Sequence, residues 1–200
     1  MSTTEKTRLI IISGPSGAGK STVVKRLLTE CPMQLELSTS ATTRAPRPGE
    51  VPGEHYFFLS KQRFSELREA DAFLECKEVF GQGDWYGTLR DQVANGLAEG
   101  KWVILEIDVQ GAMAVMEKNE FNPITLFIHP GGLEELERRL RARGTETEEA
   151  ITKRMETAGS EMPFVHRYQY EIINSNVESA VAEICQILKD QRETNPCSKS

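Results

Sequence analysis

Three apolar runs, Leu9 to Ile12, Trp102 to Ile107 and Ile124 to Ile128, and a briefer fourth, Glu171 to Ile173, stand out because they are short and scarcely alternate with polar residues. Such runs fit strands covered on both faces, as in a parallel sheet. Between them the spacing turns helical. Val23, Val24, Leu27 and Leu28 share one face of Lys20 to Leu28, and Leu133, Leu136 and Leu140 recur at helical intervals. Val177, Ala180, Val181, Ile184 and Leu188 stripe a closing helix. Strands alternating with helices predict an α/β fold, a parallel sheet flanked by helices.

Two segments break the alternation. Residues 38–90 are rich in Pro, Gly, Ser and Thr, with short aromatic stretches, and read as an insert in which Tyr56 to Leu59 is a strand of a small separate sheet. Residues 134–163 are highly charged, turn on Arg143 and Gly144, and read as a second insert. The core is then about residues 9–37, 91–133 and 164–190, followed by a polar tail at 191–200.

At 200 residues and 38% hydrophobic, the chain can bury a substantial core as one main domain. A net charge of −6 argues against broad binding of nucleic acid or acidic membrane, so an anionic ligand must find local cations. No segment is apolar enough to cross a bilayer, and the expected location is the cytoplasm, with no membrane partner. Cys31, Cys76, Cys185 and Cys197 are scattered, and His55, His129 and His166 share no metal-ligand spacing. Cys197 is fourth from the end, but Lys199 spoils a prenylation box.

Directly after the first strand comes GPSGAGKS, Gly14, Pro15, Ser16, Gly17, Ala18, Gly19, Lys20 and Ser21, matching GxxxxGK[ST]. A match in a chain this long has on the order of one chance in a hundred of being accidental. Its place between a strand and an amphipathic helix makes it a phosphate loop. Glycines let backbone N–H groups converge on phosphate oxygens, and the helix N-terminus adds favourable partial charge. Lys20 is the mobile cation, and the Ser21 hydroxyl, with Thr22 beside it, is placed to meet Mg²⁺. A second cationic site is Arg44 and Arg47 in the loop STSATTRAPRPGE. Two anion sites in one chain suit phosphoryl transfer between two phosphorylated molecules.

Taken together, GPSGAGKST, STSATTRAPRPGE followed by GEHYFF, FLE, WYGT, LEIDVQG and RGTETEEAITKR resemble guanylate kinases, in this order, over about Leu9 to Leu188. The resemblance implies transfer of a phosphoryl group from ATP to GMP or dGMP with Mg²⁺ as cofactor. Residues 38–90 would be the GMP-binding part and 134–163 a lid. It places the GMP phosphate on Arg44, Arg47, Tyr56 and Tyr86, and guanine on Ser40, Glu75, Thr88 and Asp108. Catalysis falls to Lys20, Arg44, Arg143 and Arg154, with Arg139 also reaching ATP and Asn174 on the adenine side or capping the following helix. One carboxylate at Glu75 can accept both guanine donors, where adenine presents a lone pair.

The chain departs from the family pattern in two places. ECKEVFGQGDWY is about two residues longer, and Glu106 stands where aspartate is usual. Two other readings compete: a non-catalytic relative binding phosphopeptides in the same pocket, and a kinase of another small phosphate ester. The intact phosphate loop opposes the first. The guanine-matched Ser40 and Glu75 oppose the second.

Overall fold

A computed structural model describes residues 7–79, 83–142, 144 and 147–193. Its strands are β1 (Leu9–Ser13), β2 (Leu35–Leu37), β3 (Ala41–Thr42), β4 (Phe57–Phe58), β5 (Phe73–Val79), β6 (Asp84–Leu89), β7 (Trp102–Glu106), β8 (Ile124–His129) and β9 (Tyr170–Ile173). Its helices are α1 (Lys20–Glu30), α2 (Lys61–Glu69), α3 (Arg90–Ala98), α4 (Val109–Lys118), α5 (Leu133–Ala142), α6 (Glu148–Glu161) and α7 (Val177–Glu193), with a 3₁₀ segment at Met162–Arg167.

All four apolar runs become strands of one parallel sheet in the order β2-β7-β1-β8-β9. β1 is central and buried throughout. Ile10 and Ile12 pack with Val23, Val24 and Leu27 of α1 and with α7, whereas Leu9 and Ile11 pack with Val93 of α3 and with α4. The two-residue period of a strand thus supplies both layers. The chain passes from β1 to β2 on one side and later from β7 to β8 on the other side of β1, and ligands bind at the carboxyl ends of strands flanking such a switch point.

A second sheet has the order β4-β3-β6-β5, with β6 antiparallel to β3 and β5. Phe64 of α2 stacks on Phe73 of β5 at 4.4 Å between ring centroids and seals its outer face. The strand expected at Tyr56 to Leu59 is Phe57–Phe58. The long β5–β6 pairing and the edge strand β2 were not anticipated. β2 has three residues and is not fully buried, so it carries no apolar signature. In β5, FLECKEV interrupts its apolar pattern with Glu75 and Lys77, because one face is turned to a cleft.

In the second charged segment, α5 and α6 form a pair with its own small core of Leu136, Leu140, Ile151 and Ala158. Burying each of the larger three contributes about 1.5–3 kcal/mol, enough to hold the helices together. α5 also packs on the phosphate loop: a Cβ at Gly17 would sit 2.9 Å from Leu140 Cδ2.

Candidate functional site

The phosphate loop leaves the end of β1 in conformations that glycine permits. At Gly14, φ is 133°, and a Cβ there would lie 2.0 Å from the carbonyl oxygen of Ile128. Gly19, with φ of 88°, precedes α1, and a Cβ would lie 2.6 Å from Asn174 Nδ2. No side chain caps α1, and its first turn holds no acidic residue, so the positive end of the helix is left for an anion.

Lys20 Nζ donates to the carbonyls of Gly14 at 2.6 Å and Pro15 at 3.0 Å. Burial lowers its pKa, while Glu106, Glu161 and Asp108 oppose that shift. The ammonium is therefore held inside a carboxylate-rimmed cleft of about 770 Å³, lined also by Ser16, Ser21, Thr22 and Arg154. Ser21 Oγ donates to Glu106 Oε1 at 2.5 Å. That contact gives Glu106, whose part the sequence left open, a place beside the phosphate loop.

The charged helices meet the same cleft. Arg154 Nη1 donates to Ser16 Oγ at 2.9 Å, bringing α6 onto the loop. Arg154, Thr157 and Glu161 share a face at helical spacing and all line the cleft. Arg139 pairs with Glu135 at 2.7 Å and donates to the Ser175 carbonyl at 3.4 Å. Arg143 lies outside the described residues.

A second cleft, of about 260 Å³, opens beside the first. Ser40, Tyr56, Glu75, Tyr86 and Asp108 line it, bringing together residues of β5, β6 and three loops. Thr88, opposite Glu75 across the β5–β6 ladder, donates to Glu75 Oε1 at 2.7 Å and lies buried behind it. Burial pushes the Glu75 carboxyl above the usual range; the Asp108 charge adds to that and the Thr88 hydroxyl opposes it. Asp108 caps α4 by accepting from the Gly111 N–H at 2.9 Å.

Arg44 is fixed at the other end. Its Nε donates to the Tyr86 hydroxyl at 2.9 Å, and its two terminal nitrogens grip Glu50 at 3.0 and 2.8 Å. The guanidinium also lies 5.5 Å from the Tyr56 ring centroid. The Glu50 carboxyl is held down to about 2, first by Arg44 and then by the Arg47 backbone N–H. The Arg47 side chain is exposed, outside the set that lines the cleft.

Asn174 does not cap the following helix, as one expectation had it. Its amide donates to the Ala18 carbonyl at 2.8 Å, fastening β9 to the phosphate loop, and Asn176 bonds the Ser179 N–H in the first turn of α7. Sequence reasoning also passed over Glu50, Lys77 and Glu161. Lys77 could have been found, since it lies two residues from Glu75 on one strand and faces the same way. Glu50 had no such signal. Among the described residues, no cluster of three or more His, Cys, Asp or Glu side chains could hold a metal, and no helix is long and apolar enough to cross a membrane.

Comparison with known proteins agrees with this geometry. The guanylate kinase family model matches residues 6–191. The chain is 65% identical over 193 residues to the guanylate kinase of Rhodopirellula baltica, covering 96% of this chain and 92% of that protein. It is 45% identical over 185 residues to that of Escherichia coli K12, covering 92% and 88%. The crystal structure of guanylate kinase from Anaplasma phagocytophilum superposes with a TM-score of 0.73 at 30% identity, covering 94% of this chain and 87% of that one. A phosphate loop on the central strand, a carboxylate-walled pocket beside it and this likeness along nearly the whole chain lead to one assignment: the protein belongs to the guanylate kinase family.

Proposed function

We propose that the protein transfers the γ-phosphoryl group of ATP to GMP or dGMP, giving ADP and GDP or dGDP, and that it acts in the cytoplasm. The observation that carries the reading is the continuity of the two clefts. One is floored by the phosphate loop, the other is walled by Glu75 and the tyrosines, and both are lined by Lys77, Glu106, Ile107 and Asp108. Donor and acceptor phosphates therefore meet at their junction.

In this reading backbone N–H groups from Gly14 to Thr22 hold the ATP phosphates, and Lys20 leaves its carbonyl partners for the phosphoryl oxygens. Arg44, Tyr56 and Tyr86 receive the GMP phosphate, with Arg47 turning in from the surface. Guanidinium forks match phosphate oxygens, and the phenols donate without adding charge. Glu75 accepts the ring N–H and exocyclic amine of guanine, Asp108 reinforces the amine contact, and Ser40 donates to the guanine carbonyl. Thr88 acts through Glu75 by holding its carboxylate in place. Arg154 and Arg139, with Arg143, bring positive charge from the α5–α6 pair. Closure of that pair excludes water, which would otherwise accept the phosphoryl group.

The exposed oxygen pair of Ser21 and Glu106 fits Mg²⁺, which takes hard oxygen donors and keeps waters and phosphate oxygens as most of its ligands. Ser21 would bind it directly. When bound, Mg²⁺ offsets negative charge on the phosphates.

ATP-dependent formation of GDP from GMP tests the function, with AMP, UMP and CMP as rival acceptors. GMP is expected to be preferred strongly, and equal turnover of AMP would sink the guanine assignment.

A further inference from the structure

At the junction between the clefts the roles above account for Glu106 and Asp108 but leave Lys77 without one. Of the four described residues that line both clefts, Glu106 and Asp108 are acidic, Ile107 is neutral, and Lys77 alone is a cation. Glu78 and Glu161 line the larger cleft as well. A phosphoryl group passing through this gap carries negative charge on its outer oxygens, so the carboxylates repel it.

Lys77 is placed to answer that repulsion. It stands on β5 two residues beyond Glu75, so both side chains leave the same face of the strand. Across the ladder Glu75 faces Thr88 and Lys77 faces Tyr86. Lys77 is thus a direct neighbour of both the carboxylate assigned to the base and the tyrosine assigned to the acceptor phosphate. Its ammonium pairs with Asp108 Oδ2, while Asp108 Oδ1 is taken by the Gly111 N–H. Both oxygens of Asp108 are thereby engaged. The Lys77 side chain is 36% exposed, on a flexible stem that can swing.

We propose that Lys77 is a second mobile cation for the transferred phosphoryl group: it pairs with Asp108 until both nucleotides are in place, then moves onto the phosphates in the gap and releases Asp108 to the guanine amine. The inference rests on the kinase reading. In the transfer, a GMP phosphate oxygen bonds the γ-phosphorus as the bond from that phosphorus to the β–γ bridging oxygen breaks. The electron pair leaves with ADP, and Lys77 keeps its protons and contributes only charge. Because the ammonium meets the phosphates most strongly as charge spreads at the transition state, its effect falls on kcat.

The test is steady-state kinetics of the full chain with Lys77→Met and Lys77→Arg, varying GMP at saturating ATP. Lys77→Met is expected to lower kcat by at least about tenfold, with KM for GMP unchanged or reduced because Asp108 is uncovered, and Lys77→Arg to recover most of the rate. A residue that only orients Asp108 would instead raise KM for GMP and leave kcat intact. The inference stands if the loss in kcat exceeds any rise in KM, and falls otherwise. ATP binding by the variant checks its folding, and Lys77→Gln replaces Lys77→Met should the latter be unstable. Wild-type protein that makes no GDP would overturn the kinase reading itself; an active wild type matched by Lys77→Met would overturn this inference alone.

Discussion

The phosphate loop and the pocket beside it both await anionic groups, yet they are made of opposite materials. The loop is a single stretch of backbone, shaped by glycines and by close packing on Ile128, Leu140 and Asn174. The pocket is made of side chains from Ser40 to Asp108, and two of the groups that shape it are fixed from the neighbouring strand: Arg44 at its end by Tyr86, and Glu75 by Thr88. Backbone donors offer every phosphate the same welcome. Side-chain carboxylates and hydroxyls can tell one base from another. Affinity for phosphate and choice of nucleoside are thereby separable, and substitutions can be aimed at either.

The largest effect is expected at Lys20, the buried cation of the backbone-built site. Lys20→Met should lower kcat by about 10² to 10³ while weakening ATP binding much less, since the N–H groups remain. Comparable losses in both, measured by single-turnover kinetics and nucleotide titration, would break the contrast.

Next comes Glu75→Gln, which turns one acceptor into a donor against the guanine edge. It should reduce kcat/KM for GMP about a hundredfold and leave ATP binding near wild type, because a lost charged hydrogen bond in a buried site costs up to about 3 kcal/mol. The pH profile sharpens this. The proposed guanine contact needs the carboxylate form, and burial makes Glu75 take up a proton more readily than an ordinary glutamate. KM for GMP should therefore rise as pH falls, beginning above the usual carboxylate range, and the Gln variant should lack that rise.

The smallest effect is expected at Glu50, which braces Arg44 and is not among the residues lining either cleft. Glu50→Gln should raise KM for GMP by no more than about fivefold, as loss of a single ion pair near the surface allows. Arg44 and the Arg47 N–H hold the Glu50 carboxyl down to about 2, below its ordinary 4.5. Its contribution to stability is present above 4.5 and is lost as pH falls through about 2. The difference in thermal stability between wild type and variant should thus persist at pH 4 and vanish only near pH 2.

Much of this architecture was legible in advance, for local reasons. The short buried runs at Leu9, Trp102 and Ile124 suited strands covered on both faces, and GPSGAGKS announced itself through spacing. β5 was hidden because it serves a cleft: Glu75 and Lys77 stand where a core strand would carry apolar residues. Thr88 could be named, but that it supports Glu75 from behind required the β5–β6 register. Asn174 looked like a cap in one dimension and is a fastening to the Ala18 carbonyl in three.

The sequence by itself determined the parallel sheet, the phosphate loop and the residue types that suit a guanine nucleotide, because burial pattern and backbone freedom are written locally. Only the tertiary structure decided that the two clefts open into each other and that Lys77 and two carboxylates share their junction. Those relations join residues well over a hundred positions apart, as Ser16 and Arg154 are, and a charge acquires its role only from the charges packed around it.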